Sequence, residues 1–128
     1  MTKEFKDMKG VIAIATTPFN NENLIDFESV DRLSNYYIES KVSGVTILGV
    51  MGEAHKLNIE EQKTLIKRYV NNLINSVPVI VGVSNAGLDN LELLSKFSMD
   101  TGASGVMVSG NNGLKNDDQI KSYFNQVV

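Results

Sequence analysis

The residues best placed to handle a small ligand are Gly49-Val50-Met51-Gly52-Glu53. They follow Val45–Gly49, an apolar, β-branched run that lacks the alternation of a strand with one wet face. A helix signal follows at Asn58. Glycines at the carboxyl end of a buried strand permit a sharp turn and let a ligand come close to the backbone. Ligands of α/β proteins bind at that end of the strands. A plain βα loop, with glycines serving geometry alone, fits these residues equally well. Glu53 suits a structural role, satisfying loop amides or pairing with a lysine across the mouth of the sheet, better than that of a general base, which would need a raised pKa. His55, the single histidine, has no Asp or Ser at a recognisable spacing and reads as an exposed loop residue. Lys56 is the lysine nearest the turn, but a solvated lysine keeps its high pKa. Gly82-Val83-Ser84-Asn85-Ala86-Gly87 spaces its glycines like a phosphate loop without the Gly-Lys-Ser/Thr that completes one.

These residues need elements to position them. Val11–Thr16 reads as a first strand, stopped at Thr17-Pro18-Phe19 because Pro18 removes a donor and holds Thr17 extended. Asn20–Asn23 is a polar turn. Asp26 is an N-cap candidate for a helix to about Ser40, with Phe27, Val30, Leu33, Tyr37 and Ile38 on one face. Tyr36 and Tyr37 read as core packing rather than a stacking platform. Asn58-Ile59-Glu60-Glu61 resembles a capping box before the stripe Leu65, Ile66, Tyr69, Val70, Leu73 and Ile74. Val79–Val83 is a third strand. A third helix carries Leu91, Leu94 and Phe97 and ends at Gly102. Val106–Val108 is a fourth strand, followed by Gly110-Asn111-Asn112-Gly113, a loop that needs positive φ. Asp117 or Asp118 opens a last helix with Ile120, Tyr123, Phe124 and Val127 facing inward.

The pattern is strand then helix, four times, with every strand apolar enough for burial on both faces. It specifies an α/β fold with parallel strands and right-handed crossovers. A complete doubly wound sheet fits, and so does half of a (β/α)8 barrel, which needs about 250 residues in full. As a half barrel the chain would leave the first and fourth strands as edges, and the inward faces of Val11–Ala15 and Val45–Leu48 unfilled. Residues 1–128 form one region without a linker, ending inside a helix as a truncated chain would.

Composition narrows the function classes. The chain has 128 residues, 42% of them apolar, and a net charge of −3 without a Lys/Arg cluster, which argues against nucleic acid. It has no cysteine, so neither a disulfide nor a thiolate nucleophile is available. No histidine-rich or acidic cluster suggests a metal. The apolar runs are too short for a membrane span, and the N-terminus lacks a signal-peptide core. A cytoplasmic protein is expected.

Gly49-Val50-Met51-Gly52-Glu53 resembles the G-x-x-G-E signature of the dihydrodipicolinate synthase/N-acetylneuraminate lyase family of pyruvate-dependent aldolases. Ala15-Thr16-Thr17-Pro18-Phe19 resembles the end of that family's first strand, Pro78–Val83 its third, and Ala103–Val108 its fourth, in the same order and spacing. The resemblance implies that the four units are the N-terminal half of a TIM barrel. It also implies a Schiff-base lyase or aldolase acting on pyruvate or a 2-keto-3-deoxy acid, with no further cofactor and a homo-oligomeric assembly. The lysine and tyrosine of the Schiff-base site are expected beyond Val128, so no catalytic residue is assigned within the chain. Gly49, Val50, Met51, Gly52 and Glu53 are the implied substrate-binding residues, joined by Thr17 and Asn112. The sequence departs from the family where two hydroxyl residues give way to Val50 and Met51, and where a tyrosine pair gives way to Asn111 and Asn112. Those departures favour cleavage or dehydration of a 2-keto-3-deoxy acid over dihydrodipicolinate synthesis. The rival readings are a small-anion-binding α/β module and a non-catalytic half-barrel interaction protein.

Overall fold

The computed structural model describes residues 5–110 and 113–128. Four βα units run in order: β1 (Ile12–Ile14), α1 (Phe27–Glu39), β2 (Gly44–Ile47), α2 (Ile59–Leu73), β3 (Val79–Gly82), α3 (Leu88–Thr101), β4 (Gly105–Met107) and α4 (Asp117–Val127). The strands form one parallel sheet in the order β1-β2-β3-β4. That order never reverses, whereas a doubly wound sheet must reverse to place helices on both faces. The doubly wound alternative is therefore excluded, and the unit is a half barrel with its helices on one side.

Local chemistry sets the helix boundaries. Asp26 Oδ1 accepts from the Ser29 amide at 3.1 Å and starts α1. Asn58 and Glu61 form the full capping box of α2, each side chain accepting from the other's amide at 2.8 Å. Gly102 closes α3 at φ 112°, and a Cβ there would lie 2.7 Å from Ile74 Cδ1. The fourth helix opens at Asp117, one of the two residues expected. Its cap is Asn116, whose side chain accepts from Gln119 N at 3.0 Å, one residue before the two aspartates. A second polar tie joins α1 to α2: the Arg68 guanidinium donates twice to the Asp31 carboxylate, and Asn72 donates to it at 2.8 Å. These contacts hold the Asp31 carboxyl below its ordinary range, with Arg68 the largest cause.

The register gives the sheet two faces. Ala13, Val45, Ile47, Val79 and Val81 point towards the helices, where Leu65, Tyr69, Val70 and Leu94 complete the core. Ile12, Ile14, Thr46, Ile80, Gly82 and Met107 share the opposite, concave face. Only β2 and β3 are buried on both faces. Contrary to the expectation for all four strands, Ile14 is 47% exposed on β1 and Met107 42% on β4. Each edge strand has a neighbour on one side only. The expected exposure of Val45–Leu48 is also overturned: these residues are buried, and Thr46 is 3% exposed between Ile14 and Ile80 in the register. Nor does α4 bury its apolar face. Ile120 is exposed, while Tyr123, Phe124 and Val127 are half-buried. Tyr37 is in the core and Tyr36 outside it, with their rings edge to face at 5.9 Å.

A polypeptide of these 128 residues should bind a hydrophobic dye and associate through β1 and β4 as its concentration rises. Analytical ultracentrifugation over a concentration series, with dye fluorescence in parallel, checks this. A dye-negative monomer would contradict it.

Candidate functional site at the carboxyl ends of the strands

Leaving β2, the chain passes through Leu48 at φ 55° and reaches Glu53 at φ 54°. The left-handed conformation therefore falls on two residues with side chains, and Gly49 and Gly52 have no need of it. Non-glycine residues held at positive φ cost about 1–3 kcal/mol each and persist where the surroundings over-determine them. Two hydrogen bonds close the turn, Gly52 N to Gly49 O and Glu53 N to Val50 O, both at 3.1 Å. A third comes from the end of the first unit: the buried Thr17 donates its hydroxyl to Gly52 O at 2.6 Å.

The glycines serve different purposes. A Cβ on Gly52 would stand 2.9 Å from Leu48 N and 3.1 Å from Leu48 Cα, inside the turn itself. Gly52 is thus needed for the turn to close, and ligand approach is not what requires it. A Cβ on Gly49 would make ordinary contacts, 3.7 Å to Met107 Cε and 4.0 Å to Ile14 Cγ2. The tightest approach is at Gly82 of β3, where a Cβ would stand 2.3 Å from Leu48 O. That position looked like part of a loop pattern in the sequence, yet it lets β3 pack against the start of the turn.

The turn's amides divide accordingly. Those of Gly52 and Glu53 are consumed by the turn, while those of Val50 and Met51 donate to no protein acceptor among the described residues. Val50 is 87% exposed, and Met51 is exposed as well. Glu53 is paired with Lys56, three residues on, and not with a lysine across the sheet. This exposed pair is a local surface contact. His55 is exposed, as expected. Behind the turn, Tyr69 donates to Thr16 O at 3.1 Å, and burial, with the nearby Tyr37 phenol a lesser cause, pushes its pKa up. It stays protonated and acts as a fixed donor that steadies the end of β1.

A cleft of about 200 Å³ opens at the carboxyl ends of β2, β3 and β4. Leu48, Gly49, Val50, Ala54 and His55 line one side, and Gly82, Ser84, Met107 and Ser109 the other. Of the expected site residues, Gly49 and Val50 line it. Thr17, Gly52 and Glu53 shape the turn behind it, Met51 stands exposed at the turn, and Asn112 lies outside the described residues. Ser84 and Ser109 were missed by sequence reasoning. Their signal was position alone, each being the second residue after its strand. A larger apolar groove of about 410 Å³ lies between Leu24, Phe27 and the start of α2. Its Asn58 and Glu61 side chains are committed to the capping box, so it lacks the convergent free polar groups of a binding site. No group of three acidic or histidine side chains suited to a metal occurs among the described residues, and no helix among them is long and apolar enough to cross a membrane.

Comparison with known proteins agrees with this geometry. The Dihydrodipicolinate synthetase family matches residues 7–128. The 4-hydroxy-tetrahydrodipicolinate synthases of Thermotoga petrophila and Methanocaldococcus jannaschii are each 35% identical, over 100 and 99 residues. Those alignments cover 78% and 77% of this chain, and the chain spans 34% of the length of either relative. The crystal structure of dihydrodipicolinate synthase from Rhodopseudomonas palustris superposes with a TM-score of 0.86 at 43% identity, covering 91% of this chain and 38% of that one. A family member from E. coli K12, solved in complex with pyruvate, gives 0.84 at 27% identity, covering 92% of this chain and 40% of its own.

Gly52→Ala should destabilise the protein by about 1–3 kcal/mol through overpacking, while Gly49→Ala should cost less than about 1 kcal/mol. Thr17→Val should cost about 1–3 kcal/mol by leaving the Gly52 carbonyl unpaired. Urea denaturation of the three variants gives these differences, and equal values for the two glycine variants would refute the assignment.

Proposed function

Because the chain belongs to the dihydrodipicolinate synthetase family, we propose that it is the carboxylate-binding half of a Schiff-base lyase acting on pyruvate or a 2-keto-3-deoxy acid. The observation that carries this reading is the pair of unpartnered amides at Val50 and Met51, held at the carboxyl end of a buried strand and beside a cleft. Successive backbone N–H groups in a turn make an anion-binding concavity that depends on no particular side chain. Substrate binding then rests on Gly49, Val50, Met51, Gly52 and Glu53, with the first two amides after Gly49 receiving the carboxylate. Thr17 and Gly52 keep that turn rigid. Asn112 enters the same proposal as a contact from the loop after β4.

The reaction itself belongs to groups beyond Val128. A lysine amine condenses with the 2-keto carbonyl and expels water, and the resulting iminium accepts the electron pair when a bond two atoms away breaks. A pre-bound carboxylate fixes the carbonyl for that attack, which is the entropic part of the catalysis. Val50 and Met51 offer no hydroxyl to relay a proton. Cleavage or dehydration of a 2-keto-3-deoxy acid therefore suits this site better than dihydrodipicolinate synthesis. The whole protein is proposed to be a cytoplasmic homo-oligomer, as the family resemblance implies.

Borohydride reduction in the presence of pyruvate, followed by intact-mass measurement, tests the assignment. A protein that continues into the second half of the barrel should gain one pyruvate-derived adduct, and the 128-residue chain none. A stoichiometric adduct on any lysine of these 128 residues, Lys56 first among them, would overturn the proposal.

A further inference from the structure

Ser84 and Ser109 are separated by 25 residues in sequence, yet their hydroxyl oxygens are 3.1 Å apart across the cleft-lining ends of β3 and β4. The Ser109 amide also donates to Ser84 Oγ at 2.9 Å. This geometry has a consequence that does not depend on which hydroxyl donates to the other. The pair has two hydroxyl protons and one is used between them. If Ser84 donates to Ser109, the Ser109 proton is free. If Ser109 donates, Ser84 accepts twice and its own proton is free. Neither hydroxyl has another protein partner among the described residues, so in both cases one O–H remains available to an oxygen in the cleft. Its donor strength is raised by the hydrogen bond that its own oxygen accepts.

The rest of the cleft surface offers little competition. Leu48, Val50, Ala54 and Met107 are apolar, and His55 is the one ionisable side chain in the lining. Donors facing the cleft include the Val50 amide and the His55 ring on the β2 side and the serine pair at the ends of β3 and β4. A pocket with few polar groups uses them to fix orientation and identity.

We infer that the Ser84–Ser109 pair is a specificity-determining subsite, donating a hydrogen bond to a hydroxyl oxygen on the part of the substrate remote from its carboxylate. The inference rests on the keto-acid reading above and narrows its substrate class: a 2-keto-3-deoxy acid bearing a 4-hydroxyl group is preferred over unsubstituted pyruvate. The pair is not part of the bond-breaking chemistry. It discriminates by the one hydrogen bond that a hydroxylated ligand gains there and an unsubstituted one lacks.

Calorimetric titration of the intact protein with pyruvate and with 2-keto-3-deoxygluconate provides the test. The double variant Ser84→Ala/Ser109→Ala, which removes both hydroxyls, should weaken the hydroxylated acid about five- to tenfold, the size of one lost hydrogen bond, and leave pyruvate unchanged. Ser109→Thr keeps the hydroxyl and should retain the preference, and thermal unfolding of each variant verifies that the fold is intact. Undiminished binding of the hydroxylated acid by the double alanine variant would overturn the inference, as would a parallel loss of pyruvate, which would make the pair a support for the carboxylate turn. If borohydride traps no adduct on the intact protein while the serine-dependent preference persists, the Schiff-base reading fails and the subsite stands. If the unsubstituted protein binds neither acid, both fall.

Discussion

The structure depends on the contact between the end of β2 and Gly82 of β3. With a Cβ at Gly82, that atom would lie 2.3 Å from the Leu48 carbonyl oxygen, a distance no side chain tolerates. Because the position is empty, Leu48 turns at positive φ while its side chain remains buried. The chain can then reverse within Gly49–Gly52 and present Val50 and Met51 outward. The backbone strain at Leu48 and Glu53 is sustained by packing on one side and by the Thr17 hydroxyl on the other. Fold and site therefore share one constraint. Residues that shape the turn are needed for stability and for the cleft at once.

In the proposed function this half of the molecule binds chiefly with its backbone. Val50 and Met51 contribute amides, and their exposed apolar side chains add no polar function. Backbone donors are fixed by neighbouring turns and strands, so they are pre-oriented without a rotamer to immobilise. Side-chain hydroxyl donors enter where two strand ends meet, at Ser84 and Ser109. Lys56 and Glu53 satisfy one another at the surface, and His55 has no hydrogen-bond partner among the described residues. In the proposed function this region supplies recognition and positioning.

The concave face shows how the sheet is completed only in part. Thr46 and Ile80 are covered by their neighbours in the register, whereas Ile12, Ile14 and Met107 remain partly open. In a closed eight-stranded barrel such inward residues stack in layers supplied by alternate strands. Here four strands, in the unreversed order β1-β2-β3-β4, provide half of those layers. The half-buried face of α4 follows from the same incompleteness, since the terminal helix has a neighbour on one side.

Much was legible in the sequence because it is written locally. Hydrophobic period, the Asn58–Glu61 box, the Asp26 cap and the Gly102 stop involve residues within one helical turn of each other, and these elements form where the residues indicate. The place of the glycine turn was legible for the same reason, as the junction of a β-branched run and a helix signal. What the tertiary structure alone decided involves residues far apart in the chain. It set the unreversed strand order and the exposure of β1 and β4. It made Gly82 and Gly52, not Gly49, the sterically required glycines. It also brought Ser84 to Ser109, and Thr17 to a carbonyl 35 residues away. Those facts follow from how strands of different units align, and a single sequence carries no distance between segments that meet only when the chain has folded.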